Sequence, residues 1–209
     1  MFHVKHGVQY KRHQMKIGLF FGSFNPIHIG HLIVANTVLD LTGIEQVWFV
    51  ISPQNPFKKK AGLLDELKRL VLVEQAIADN EHLLVSTVEF DMPKPSYTID
   101  TLKVMDEKYP SDDFSIVMGE DNLMSLHKWK EFDNLINNYS IIVYPRLGYE
   151  TDQYDENKRV HKVDVPIIGL SSTIIREKIK EGKSIQYLVH DKVYSYLLKE
   201  KWYQNDGLQ

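Results

Sequence analysis

At 209 residues, with 43% hydrophobic and 25% charged side chains, the chain has the make-up of a globular protein with room for one sizeable core. A formal net charge of −3, without a long basic tract, excludes a protein whose main partner is nucleic acid. The lack of cysteine excludes disulfides and thiolate chemistry and fits a cytoplasmic setting, and no apolar run is long enough to span a membrane.

Residues 1–14, MFHVKHGVQYKRHQ, are basic and histidine-rich but lack the apolar stretch of a secretory signal, so they read as a flexible extension. A regular pattern starts at Met15, and 15–209 reads as a single domain. Five β-branched and aromatic runs predict strands: Lys16 to Phe21, Gln46 to Ile51, His82 to Val88, Asp113 to Met118 and Ser140 to Tyr144. A weaker sixth covers Val160 to Val165. Between them, Leu63 to Asp79 has a helical period, with Leu63, Leu67, Leu70, Val71 and Ile77 near one face. Helices are also expected over Tyr97 to Lys108, stopping before Pro110, and over Asn122 to Ile136. Near the end, SSTIIREKIKEG has hydroxyl residues at its start and Gly182 past its finish, and another helix runs from Asp191 to Lys201. The alternation predicts an α/β, Rossmann-like, doubly wound and mostly parallel sheet of five to six strands with a small helical C-terminal piece. Such sheets bind ligands at the carboxyl ends of their strands.

At the end of the first strand stands GSFNPIHIGH, Gly22 to His31. It has neither a GxGxxG fingerprint nor a Walker lysine, so phosphate binding here would rest on the main-chain N–H groups of Gly22, Ser23 and Phe24 and on the helix end. His28 and His31 are three residues apart and lie side by side on a helix. By spacing alone they could bind a metal, donate to a phosphate as imidazolium, or only cap the helix. No third or fourth metal ligand is nearby in the sequence.

The stretch resembles the (T/G)xxHxGH signature of the nucleotidyltransferase superfamily, whose members join a nucleotide to a phosphate-bearing substrate and release pyrophosphate. GLSSTIIREKI, Gly169 to Ile179, is similar to the ISSTxIR motif of the same enzymes, with Ser172, Thr173 and Arg176 on one face at a helix start suited to a triphosphate. KPSYTIDTL, Lys94 to Leu102, resembles the PSYTxDTL element of bacterial nicotinate-nucleotide adenylyltransferases. MGEDNLMSLHKWKEF resembles their GxDxxxxxxxW segment, with Glu120 where a small residue is common. SPQNPFKKK resembles the PxxxPxK loop, with Phe57 where histidine is frequent.

This resemblance implies transfer of the adenylyl group of ATP to nicotinate mononucleotide, giving deamido-NAD and pyrophosphate. It implies catalytic roles for His28, His31, Lys58 and Arg176, with Lys59 and Lys60 competing for the place of Lys58. ATP would be held by Gly22, Ser23, Phe24, His28, His31, Gly119, Asp121, Ser172, Thr173 and Arg176. Tyr97 and Thr98 would take the pyridine carboxylate, and Trp129 would stack on the ring. Mg²⁺ is expected to arrive on the ATP phosphates rather than in a protein-built cage. Nicotinamide mononucleotide or pantetheine phosphate as acceptor, or a nucleotide-binding module without turnover, stay open, as does the oligomeric state.

Overall fold

The computed structural model describes residues 13–54 and 62–204. Six strands form one fully parallel sheet: β1 (Lys16–Gly22), β2 (Gln46–Ile51), β3 (Leu83–Ser86), β4 (Asp113–Gly119), β5 (Ser140–Tyr144) and β6 (Val160–Lys162). Their spatial order is β3-β2-β1-β4-β5-β6, so the chain winds outward from β1, then returns to β4 and winds the other way. The reversal falls between β1 and β4, where crossover connections part and leave a crevice at the strand ends. No helix among the described residues is long and apolar enough to cross a membrane.

A parallel sheet covered on both faces needs apolar residues at every strand position, and the central strands supply them. Along β1, Ile17 and Leu19 enter one core layer and Phe20 the other. Along β4, Phe114, Ile116 and Met118 share the layer of Leu19, while Val117 joins Phe20. The Phe20 layer is closed by α1 (Ile29–Leu41), α2 (Glu66–Ile77), α6 (Ser172–Lys180) and α7 (Asp191–Glu200). The opposite layer is closed by α3 (Thr98–Lys108), the short α4 (Glu120–Leu123) and α5 (Phe132–Asn138).

Three expectations need correction. The buried stripe of α2 is Arg69, Leu72, Val73, Ala76 and Ile77, and Leu67 is 60% exposed. A true i, i+3, i+4, i+7, i+8 face therefore runs through an arginine, which a hydrophobic pattern passes over. The helix expected over 122–136 is broken into α4, a 3-10 turn at Leu126–Lys128, and α5. Leu126 and Leu135 are nine positions apart, about 180° on a continuous helix, yet both are buried in one core layer. The chain resets its phase through an extended Trp129 and a left-handed Glu131 at φ 52°. Finally, β3 and β6 are shorter than expected, because a 3-10 turn at Val88–Asp91 follows the first and both lie at sheet edges. Within the extension expected over 1–14, residues 1–12 lie outside the described residues, and His13 bonds Glu45 at 3.0 Å.

Candidate active site

At the end of β1 the backbone turns under its own side chain. Phe24 takes a left-handed conformation at φ 43° and buries its ring beneath Gly22. A Cβ on Gly22 would lie 2.7 Å from the ring carbon Cζ, so only glycine admits the aromatic there. The ring meets Phe20, Phe49 and His31 edge-on. Next, buried Asn25 ties the turn to two other segments. Its Nδ2 donates to Gly62 O at 2.8 Å, and its Oδ1 accepts from Leu64 N at 3.1 Å and from the Tyr203 hydroxyl at 2.7 Å.

The two histidines face each other where α1 begins. His28 holds the N-cap position in extended backbone, and its N–H donates to His31 Nδ1 at 3.2 Å. With Nδ1 accepting, His31 carries its hydrogen on Nε2 and can donate from there. The rings stack with centroids 3.7 Å apart. A Cβ at position 30 would lie 3.0 Å from His28 Nδ1, which accounts for the glycine between the pair. His28 is 4% exposed, and burial, followed by the field of Arg146, pushes its pKa down to about 4. With that pKa, the ring is an uncharged imidazole in the free protein at neutral pH, which bears on the imidazolium alternative.

From the far end of the chain, α6 docks onto the same turn. Ser171 caps it, accepting from Ile174 N at 3.3 Å, and buried Ile175 anchors it in the core. Ser172 Oγ donates to Pro26 O at 2.9 Å, and Arg176 donates to Asn25 O at 2.7 Å and to Thr173 Oγ1 at 3.1 Å. The two signature motifs are thus one physical unit. Together they line a cavity of about 350 Å³ that includes Gly22, Ser23, Phe24, His28, His31, Asp121, Ser172, Thr173 and Arg176. Gly119 stands behind it: a Cβ there would lie 2.4 Å from Asp121 Oδ1 and 2.8 Å from Arg146 Cγ. Arg146 Nε faces Asp121 Oδ1 at 3.5 Å, and that oxygen is buried without a hydrogen-bond donor among the described residues. A smaller hollow of about 210 Å³ adjoins it, between the segment Tyr144 to Tyr149 and the segment Val165 to Ile174.

Across the end of β1 lies another cavity, of about 440 Å³, sharing Phe21, Gly22 and Asn122 with the 350 Å³ cavity. It collects Tyr97, Thr98 and Trp129. The Tyr97 ring is 37% exposed, with the Lys130 ammonium 5.2 Å from its centroid, and Lys130 also pairs with both Asp100 oxygens at 2.8 Å. Trp129 is half-buried, held between the 3-10 turn and α5.

Four residues of this region were not anticipated: Asn25, Arg146 and two buried ions. Arg69 is fully buried, donating from Nε to Leu64 O at 2.8 Å and from Nη1 to Ser23 O at 2.6 Å and Ser52 O at 3.0 Å. Burial pushes its pKa down. Glu89 is 2% exposed beneath the Tyr97 cavity, and burial pushes its pKa up against three hydroxyl hydrogen bonds. Lys58, Lys59 and Lys60 lie outside the described residues. No group of three or more His, Asp or Glu able to hold a metal occurs among the described residues.

Comparison with known proteins bears on this geometry. Residues 19–178 match the family profile described as cytidylyltransferase-like. A Flavobacterium psychrophilum protein named "Probable nicotinate-nucleotide adenylyltransferase" is 48% identical over 192 residues, spanning 91% of this chain and 100% of the relative. A protein of the same name from Bacteroides fragilis is 43% identical over 185 residues, spanning 88% of this chain and 92% of its own. In three dimensions, the nicotinic acid mononucleotide adenylyltransferase of Plasmodium falciparum, solved with NaAD, superposes with a TM-score of 0.79. It is 20% identical and covers 94% of this chain and 100% of its own, a likeness of fold. The chain belongs to the nicotinate-nucleotide adenylyltransferases of the cytidylyltransferase-like family.

Proposed function

We propose that this enzyme transfers the adenylyl group of ATP to nicotinate mononucleotide, giving deamido-NAD and pyrophosphate, in the cytoplasm. The observation that carries this reading is the pair of cavities meeting at Phe21 and Gly22, on the crevice between β1 and β4. One is lined by cations, imidazoles and a glycine turn, the other by aromatic rings and a helix start. A triphosphate suits the first and a pyridine nucleotide the second.

ATP would lie with its adenosine toward Gly119, Asp121 and the hollow beside Tyr144, and its phosphates between Gly22–Phe24, Ser172, Thr173 and Arg176. Nicotinate mononucleotide would place its ring against Trp129 and its carboxylate at Tyr97 and Thr98, where the first turn of α3 has N–H groups to offer. The phosphate oxygen of the mononucleotide then attacks the α-phosphorus in line, and the bond to the bridging oxygen of pyrophosphate breaks. That phosphate is already ionised at neutral pH, so alignment and charge stabilisation are the main tasks of the protein.

His31 donates from Nε2, and His28, which burial keeps uncharged, donates as a neutral ring. Arg176 adds a fixed positive charge, and Lys58 would add another from the loop after β2. Mg²⁺ bound with the ATP phosphates would neutralise the leaving pyrophosphate.

Pyrophosphate release with ATP and matched concentrations of nicotinate mononucleotide, nicotinamide mononucleotide and pantetheine phosphate tests the reading. Turnover with the first should exceed the others by at least about tenfold, as expected where a built-in donor site meets a charged rather than a neutral group. Equal turnover with the amide overturns the acid preference, and no release with any acceptor leaves a binding module.

A further inference from the structure

Glu89 has no part in the chemistry just described, and nothing in its sequence neighbourhood marks it. It sits on the 3-10 turn after β3, 2% exposed. Three hydroxyls from two elements converge on its carboxylate. Ser96 Oγ donates to Oε2 at 2.5 Å, Thr101 Oγ1 donates to Oε1 at 2.9 Å, and the Ser52 hydroxyl supplies the third hydrogen bond. A carboxylate is an acceptor only, with capacity for all three donors at once. Hydrogen bonds to a charged acceptor are shorter and stronger than neutral ones, which suits the 2.5 Å contact.

What these donors flank is informative. Ser96 and Thr101 bracket Tyr97 and Thr98, the two residues placed at the pyridine carboxylate. Ser52 follows β2, and its N–H donates to Gly22 O at 2.9 Å, on the turn that faces the triphosphate. One buried carboxyl group therefore joins the start of α3 to the strand end beside the phosphate turn. Without it, the link through Ser52 and Ser96 would be lost, while Thr101 Oγ1 would keep only its local bond to Tyr97 O at 3.3 Å and a weak contact to Met92 Sδ.

We propose that Glu89 is a positioning residue for the acceptor nucleotide: it fixes Tyr97 and Thr98 relative to Gly22, so that the ring and the attacking phosphate of one substrate are held in register. This rests on the placement of nicotinate mononucleotide in the Tyr97 and Trp129 cavity. The residue acts through Ser96, Thr101 and Ser52 rather than on the reacting atoms.

Steady-state kinetics of full-length wild type and Glu89→Gln with both substrates varied separates this role from general scaffolding. Glutamine keeps the volume but replaces one acceptor oxygen by a donor aimed at a hydroxyl. The KM for nicotinate mononucleotide should rise about tenfold, the worth of one charge-assisted hydrogen bond, with kcat and the KM for ATP within about twofold. Ser96→Ala, a milder cut that leaves the carboxylate two donors, should raise the same KM about threefold and keeps the test available if Glu89→Gln does not fold. Equal rises in both KM values, or a fall in kcat alone, would mean a structural role and overturn the proposal. An unchanged mononucleotide KM in both variants overturns it too. If the wild type turns over another acceptor but not nicotinate mononucleotide, the assignment of the cavity fails first and takes this inference with it.

Discussion

The two halves of the crevice are held from behind by a buried guanidinium on one side and a buried carboxyl group on the other. Beneath the phosphate turn, Arg69 donates to the carbonyls of Ser23, Ser52 and Leu64. Beneath the Tyr97 cavity, Glu89 accepts from the hydroxyls of Ser52, Ser96 and Thr101. The two meet at Ser52, which gives its carbonyl to one and its hydroxyl to the other. A guanidinium can satisfy backbone carbonyls and leave positive potential behind a site for anions, whereas a carboxylate can only gather hydrogens. The first device therefore builds a binding field, and the second builds a fixed geometry.

This contrast can be broken most forcefully at Arg69. Arg69→Met strands three carbonyls and should cost roughly 3–5 kcal/mol of stability, read by urea unfolding. In the surviving folded fraction, the ATP side should suffer and the mononucleotide side should not. A loss below about 1 kcal/mol, the size of an ordinary surface change, would show that the guanidinium is dispensable to the turn. His31 sharpens the comparison next, because it belongs to the phosphate half alone. Its replacement by Ala should lower kcat by about a hundred- to a thousandfold through loss of a donor at the reacting phosphate. Unchanged kcat and kcat/KM would remove it from the chemistry.

His28 adds a pH signature confined to the same half. Its folded pKa, about 4, lies below the ordinary value of 6.5, so the unfolded chain takes up the proton first as the solution is acidified. Stability is then full above pH 6.5 and falls by up to roughly 3 kcal/mol as the pH drops toward 4. Melting curves of wild type and His28→Asn over that window should diverge in slope, and parallel curves would contradict the burial argument. The smallest effect is expected at Trp129. Trp129→Ala should raise the KM for the mononucleotide about tenfold, the worth of one aromatic stack, with the KM for ATP unmoved.

Much of the ligand face of the site is legible in the sequence. Strand runs of Val, Ile and Phe end at Gly22 and Gly119, and the hydroxyl-rich start of α6 marks its own cap. Less legible are the supports behind that face. Arg69 occupies a helix position where a charge reads as solvent-facing, and its partners lie 17 and 46 residues away at Ser52 and Ser23. Glu89 falls just past the strand expected over His82 to Val88 and reads as a loop residue, because Thr101, its partner, is 12 residues distant on another element. The broken helix around Trp129 was hidden for a different reason. Local propensity favoured continuity, and only the demand that Leu126 and Leu135 reach one core layer forces the break.

Asn25, near the beginning of the chain, receives its hydroxyl partner from Tyr203, 178 residues later, and its carbonyl is grasped by Arg176 from 151 residues away. During synthesis the N-terminal part leaves the ribosome first. The turn from Gly22 to His31 is therefore the earliest part of the candidate site to be made and the last to be completed. A chain halted before α6 and the segment that follows it would carry both histidines and still lack a finished place for ATP.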